Sequence, residues 1–273
     1  MTEGTALTNY DAAYAEAAAK FAEAEKANYS SELITTRGGV LQLGEEQLPG
    51  NQMCVIILDS VRENTFYAGK FDPNAPAGTV RPPPICYAFG EADDEMAPHQ
   101  SMAKHPEYFD PQHSECTGCP MNEWGSADTG KGKACQNRRR LALIPAGMFL
   151  PKKGSRDFDL DLFDEEKHFA TSDMLFMKLP PTSVSEYGKY VQQVSATHRR
   201  PPFGVITRVY LEPHPAHQYH VKFEMLELLP DALANTVFGR HNEAHANIIT
   251  PYSPPQEREA PAPAKGGIRG VRR

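Results

Sequence analysis

The placement of the cysteines constrains this chain more than any other feature. Cys116 and Cys119 form a C-x2-C pair, Cys135 follows after fifteen intervening residues, and Cys86 precedes the pair with twenty-nine between. Such a pair delivers two thiolates from one tight turn, because the two middle residues fold back around an ion. Gly118 relieves that turn and Pro120 stiffens its exit. Five cysteines, an odd number with one close pair, suit a metal site in a reducing compartment better than a disulfide framework. The reading is a structural zinc site on Cys116, Cys119 and Cys135, with Cys86 favoured as fourth ligand and His113 and His105 competing for that place. Four protein ligands fill a tetrahedron and leave no open position for catalysis. A redox pair is disfavoured, since this C-x2-C follows His-Ser-Glu in a loop instead of opening a helix. Cys54 sits inside an apolar run and reads as core.

Around the cysteines the pattern is mostly that of strands. Alternating or apolar runs at 39–43, 53–58, 64–71, 85–89, 141–145, 169–179, 203–211 and 219–228 are separated by glycine, proline and asparagine turns, including one at Glu63-Asn64. Helical periodicity is confined to 9–28, 183–196 and 231–246. The fold class expected is therefore mainly β with flanking helices, α+β. An N-terminal helical segment spans 1–34, and the core spans 35–252 with a zinc-binding insertion at about 86–140. A basic C-terminal tail rich in Pro, Ala and Gly, 253–273, is expected to be disordered. The chain has 273 residues, 40% of them hydrophobic, which is enough for a real core. No stretch approaches the roughly 20 apolar residues that cross a bilayer, and a cytoplasmic location with no membrane partner is expected.

The net charge of −7 hides strong segregation. Within 129–156 every charged residue is basic, and 157–166 then carries Asp157, Asp159, Asp161, Asp164, Glu165 and Glu166. Lys131, Lys133, Arg138, Arg139 and Arg140 follow the only tryptophan, Trp124, through small residues that let a backbone approach closely. The full phosphate-loop pattern is absent, which argues against nucleotide hydrolysis. Tyr67, Phe71 and Lys70 lie in a strand-like run, and Arg199 and Arg200 add a second cationic element. Aromatic platforms beside a cationic track on an open-sided β-barrel bind single strands, because every base stacks while lysine and arginine follow phosphates. No basic recognition helix for a duplex is evident. His214, His217 and His220 have a spacing that suits a metal, but their place at a hairpin loop, 212–218, reads as a polar turn. The acidic block lacks a partner histidine at a telling spacing, so an enzyme is not expected.

The strand cysteine, the C-x2-C, the Gly130-Lys131-Gly132-Lys133-Ala134-Cys135 element and the arginine triplet together resemble zinc-containing single-stranded DNA-binding proteins of tailed bacteriophages. The resemblance spans about 35–252. It implies an OB-fold-like β-barrel with a zinc-bearing insertion, coating exposed strands during phage DNA replication, recombination or repair beside other proteins of those pathways. The charge polarity of the termini is reversed from that of the best-known member, because the first fifty residues here are net acidic and the tail is net basic. The competing classes are a zinc-stabilised protein-interaction or transcription-modulating module and an RNA-binding protein.

Overall fold

The longest apolar alternations grow into the two longest strands of the sheet. β4 (Gln52–Phe66) and β6 (Gln136–Pro151) pair antiparallel from Cys54 opposite Gly147 to Thr65 opposite Gln136, with irregularities after Cys54 and Ile57. The computed structural model that carries them describes residues 33–44, 46–69 and 82–254. Around this pair lie β1 (Leu33–Thr35), β2 (Gln42–Leu43), β3 (Glu46–Gln47), β5 (Cys86–Gly90), β7 (Phe158–Leu162), β8 (Leu175–Leu179), β9 (Val205–His214) and β10 (Gln218–Leu228). Among the described residues these ten strands form one mixed sheet in the order β10-β9-β4-β6-β8-β1-β2-β3, with β5 on β4 and β7 on β6. The β1–β8 pairing is parallel. Among the described residues three α-helices flank the sheet: α1 (Glu166–Thr171), α2 (Pro181–His198) and α3 (Ala234–Asn247).

Both sheet faces are covered, which is why the central strands are nearly continuous apolar runs. One face carries Met53, Val55, Ile57, Leu141, Leu143, Met177 and Val209 against Tyr187, Tyr190 and Val194 of α2. The other carries Cys54, Ile56, Leu58, Ala142 and Ile144 against Phe169 of α1 and Val237 and Ala244 of α3. Successive strand residues alternate between these faces. The sheet does not close into a barrel. Its ends nonetheless approach, since Tyr219 of β10 donates to Thr36 Oγ1 at 2.8 Å and its ring lies near Gly39.

The fold class expected from sequence is the one observed, and several boundaries move. No turn interrupts Glu63-Asn64. β4 runs straight through, and Glu63 is buried by an ion pair instead of ending a strand. The expected strand 169–179 divides into α1 and β8, because Phe169 packs from a short helix into the second core. The expected strand 39–43 shortens to β2, after a helical turn in which Gly38 and Gly39 have positive φ. β1 begins at Leu33, inside the segment assigned to 1–34. The hairpin of β9 and β10 and the helices near 183–196 and 231–246 stand as expected. The N-terminal helix at 9–28 and most of the tail lie outside the described residues. No helix among the described residues is long and apolar enough to cross a membrane.

Candidate functional site

Four cysteines from three chain segments line one cavity at the end of β4. Cys86 opens β5, where it pairs with Phe66. Cys116 is placed by its backbone N–H donating to Met96 O at 2.8 Å, and Gly118 turns the chain back at φ 75° so that Cys119 joins it. Asn122 Nδ2 donates to Cys116 O at 3.0 Å and holds the turn. Cys135 precedes β6 and donates its N–H to Met121 O at 2.7 Å. The cavity, which Phe66, Pro98 and Met121 also line, has a volume of about 20 Å³, enough for one water-sized sphere.

Burial raises the Cys135 thiol to about 12, and the neighbouring Cys116, Cys86 and Cys119 add to the shift. Cys86 and Cys116 are raised for the same first reason, while Gln112 and Asn64 respectively donate hydrogen bonds that oppose it. Four cysteine sulfurs on one cavity are the donor type that a soft, tetrahedral ion would use. Among the described residues the group whose metal-ligating atoms all lie within 4.8 Å of one another is His214, His217 and His220, and the cysteines do not form such a group. Of the two competing histidines, His113 lines the cavity, with Nδ1 3.0 Å from Glu115 O, whereas His105 faces Glu107 outside it. Cys54 belongs to the second core, where burial pushes its thiol up to about 12.

On its outer side the cysteine segment forms the wall of a polar cleft. Arg62, Asn64, Asp93, Asn122, Trp124, Lys133 and Asn137 line it. Lys133 Nζ donates to Asn122 Oδ1 at 3.2 Å, and Asn137 Nδ2 donates to the same oxygen at 3.0 Å and to Asn64 Oδ1 at 2.6 Å. These bonds fix the lysine beside the wall. Trp124 is 80% exposed, an unusual cost for the largest apolar side chain. Arg62 pairs with Asp93 at 2.6 Å and sits opposite Arg139 across β4 and β6. Arg139 donates to Ser60 Oγ at 3.1 Å and lies 5.7 Å over the Tyr187 ring. It thereby opens a second cleft, lined by Ser60, Tyr187, Gln192, Pro202, Phe203 and His241.

The residues singled out from sequence divide among several environments. Strand alternation splits the arginine triplet. Arg139 lines the second cleft. Arg138 and Arg140 point to the opposite face, where Arg138 bonds Gln136 and Arg140 is buried against Glu63 at 2.6 Å. Arg140 also donates to Ile248 O and Thr250 O and lies over Phe89, so its charge serves the interior instead of a phosphate. Lys178 Nζ, at 3.3 Å, and the Tyr252 hydroxyl, at 2.6 Å, converge on the same Glu63 oxygen. Burial would raise the Glu63 carboxyl, but Lys178 and Arg140 reverse that and hold it below its ordinary value.

Lys131 is exposed between Gly130 and Gly132, both at positive φ. Tyr67 is half-buried near Tyr108 and Tyr252. Arg199 ends α2 in the left-handed conformation and is exposed, while Arg200 is tied to Asp231 and Leu229 O. Lys70 and Phe71 lie outside the described residues. Sequence reasoning passes over Arg62, Tyr187 and Phe203. Alternation along β4 misplaces Arg62, because the irregularity after Ile57 exchanges the faces, and nothing local marks the two aromatics, which come from a helix and a turn brought together by the fold. No protein-family model, curated protein or solved structure matches the chain.

Proposed function

We propose that this protein binds single-stranded DNA without sequence preference and that zinc in the cysteine cavity braces the binding face. The observation that carries the reading is the exposed Trp124 at the mouth of a cleft that holds Lys133 and leads past Arg62 to Arg139, Tyr187 and Phe203. A base stacks on the indole regardless of its identity, and the cations follow the backbone phosphates. Lys131 and Arg199 are exposed cations that would add electrostatic attraction for the strand. Arg140 is left out of the binding set, because its donors are engaged inside. The approach of the two sheet ends at Tyr219 and Thr36, with α2 packed across one core, supports an OB-like open barrel as the scaffold. With that scaffold, a role in phage DNA replication, recombination or repair is the natural extension.

Cys86, Cys116, Cys119 and Cys135 would hold the zinc, with its thiolates drawn together and deprotonated by the ion. When bound, the metal supplies a cross-link between β5, the C-x2-C turn and the start of β6. The chain's own residues do the binding. Asn122 and Asn137 orient Lys133, and Tyr187 supports the Arg139 guanidinium.

A second reading, a protein-interaction module, is favoured by the exposed Met148, Leu150 and Leu160 on the β6–β7 hairpin. Titration of the purified chain with fluorescent oligothymidine and the matching duplex at two salt concentrations separates the two. Lys133→Ala with Arg139→Ala should lower the magnitude of the salt slope by about 0.7 for each phosphate that is no longer neutralised. No preference for the single strand at low salt would sink the proposal and leave the hairpin as the functional surface.

A further inference from the structure

His214 ends β9, His217 lies in the turn, and His220 is the third residue of β10. The register explains why they meet. His214 pairs with Gln218 and His220 with Glu212, so His214 and His220 are diagonal neighbours on one face of the hairpin. Gln218 adopts φ 67°, which lets the short turn bring His217 over the same face. The three rings lie nearly parallel, with centroids 4.0 Å apart for His214 and His220, 5.0 Å for His214 and His217, and 5.5 Å for His217 and His220.

Three imidazoles so close cannot all be protonated without strong mutual repulsion, whereas a cation between them satisfies all three. One nitrogen from each ring lies within 4.8 Å of the other two. A tetrahedral site with metal–nitrogen bonds of about 2.0–2.1 Å needs donors about 3.3 Å apart. Because the stacked rings direct their in-plane lone pairs side by side, coordination requires the rings to turn toward one another, and the exposed His217 is the freest to do so. His214 Nδ1 accepts from Ala216 N at 3.3 Å, which leaves its Nε2 as the donor to an ion. His220 Nε2 is buried with no hydrogen-bond partner, a cost that coordination would remove.

We propose that His214, His217 and His220 form a second metal site, binding one divalent transition-metal ion of the nickel, copper and zinc type, separate from the cysteine cavity. The donor set selects the class: three neutral imidazoles without a thiolate suit these borderline ions and offer little to magnesium or calcium, which take oxygen ligands. Three protein ligands leave one position for water or a partner's side chain. The site is independent of the DNA-binding reading, since no residue of either cleft contributes to it.

The test is calorimetric titration of the full, untagged chain with Ni²⁺ after one equivalent of Zn²⁺ has been added and excess removed. One further equivalent should bind, and magnesium at the same concentration should not compete. His217→Ala, an exposed turn position, should weaken nickel at least about tenfold, and the triple alanine variant should abolish the event. Cys135→Ser, titrated with Ni²⁺ without the zinc pre-load, should show the same histidine-site event, which keeps this outcome distinct from failure of the cysteine site. Absence of a second equivalent in the wild-type chain, or equal affinity in the wild type and His217→Ala, would overturn the proposal.

Discussion

Replacing Arg140 by alanine separates an interior role for this arginine from a role in holding phosphate. In the fold its guanidinium meets Glu63 at 2.6 Å, Ile248 O at 3.1 Å and Thr250 O at 3.2 Å, and the two charged side chains are 5% and 0% exposed. Breaking a buried pair by removing one partner costs about 3–5 kcal/mol, because the other charge stays desolvated. Lys178 remains 3.3 Å from the same oxygen and Tyr252 still donates to it, which places the loss near the lower end, at about 3 kcal/mol. With a urea m-value of ~3 kcal/mol/M for a domain of this size, the denaturation midpoint should fall by about 1 M. The pH dependence has a definite sign. Because the folded Glu63 carboxyl lies below its unfolded value, its contribution is complete above about pH 4.3 and is lost as pH falls through the folded value. Arg140→Ala should shrink that acid-side loss. For Lys178, burial outweighs the attraction of Glu63 and lowers the ammonium, so it compensates for the missing arginine only in part. Single-strand affinity, measured where the variant is fully folded, should keep its salt slope. A stability loss under about 1 kcal/mol together with a reduced salt slope would refute this placement of Arg140.

Trp124→Ala should weaken oligothymidine binding by about 1–3 kcal/mol with little effect on stability, since the ring is 80% exposed; fluorescence anisotropy and a melting curve measure the two. Cys135→Ser should reduce bound zinc, measured by atomic absorption, by about one equivalent relative to the wild type and lower the melting temperature, as chelation of the wild type should. Gly147→Ala places a Cβ 2.6 Å from Asp161 O and 3.2 Å from Cys54 Sγ, so β7 must shift, and urea denaturation should report a loss of about 1–3 kcal/mol.

Much of the scaffold is legible because burial on two faces writes long apolar runs, as in 53–58 and 141–145. The four cysteines singled out from sequence line one cavity, although Cys86 comes to it from a remote strand. What escapes depends on partners distant in sequence. Glu63 looks like a turn residue because a carboxylate in a strand interior makes sense only beside Arg140, Lys178 and Tyr252, the last of them 189 residues away. The arginine triplet looks like one patch because charge counting ignores alternation, which sends Arg139 to one face and its neighbours to the other. Phe169 reads as strand because an apolar run too short for its period to show is equally compatible with a buried helix.

The register of β4 against β6 decides the sign of the cleft. Ser60, Arg62 and Asn64 face the clefts, while Val61, Glu63 and Thr65 face inward, and Arg62 stands opposite Arg139. A slip of one residue would exchange these sets, placing Glu63 in the cleft and stranding Arg62 in the interior. Apolar packing fixes the middle of the strand pair, but beyond Val61 the inward residues are polar and hydrophobic burial gives less discrimination there. The cysteine cavity sits where that help fades, at Phe66 opposite Cys86 and Thr65 opposite Gln136, the residue after Cys135. A metal held there would fix the register from the far end. Zinc would then govern strand binding without touching DNA, by keeping arginine rather than glutamate turned toward the phosphates.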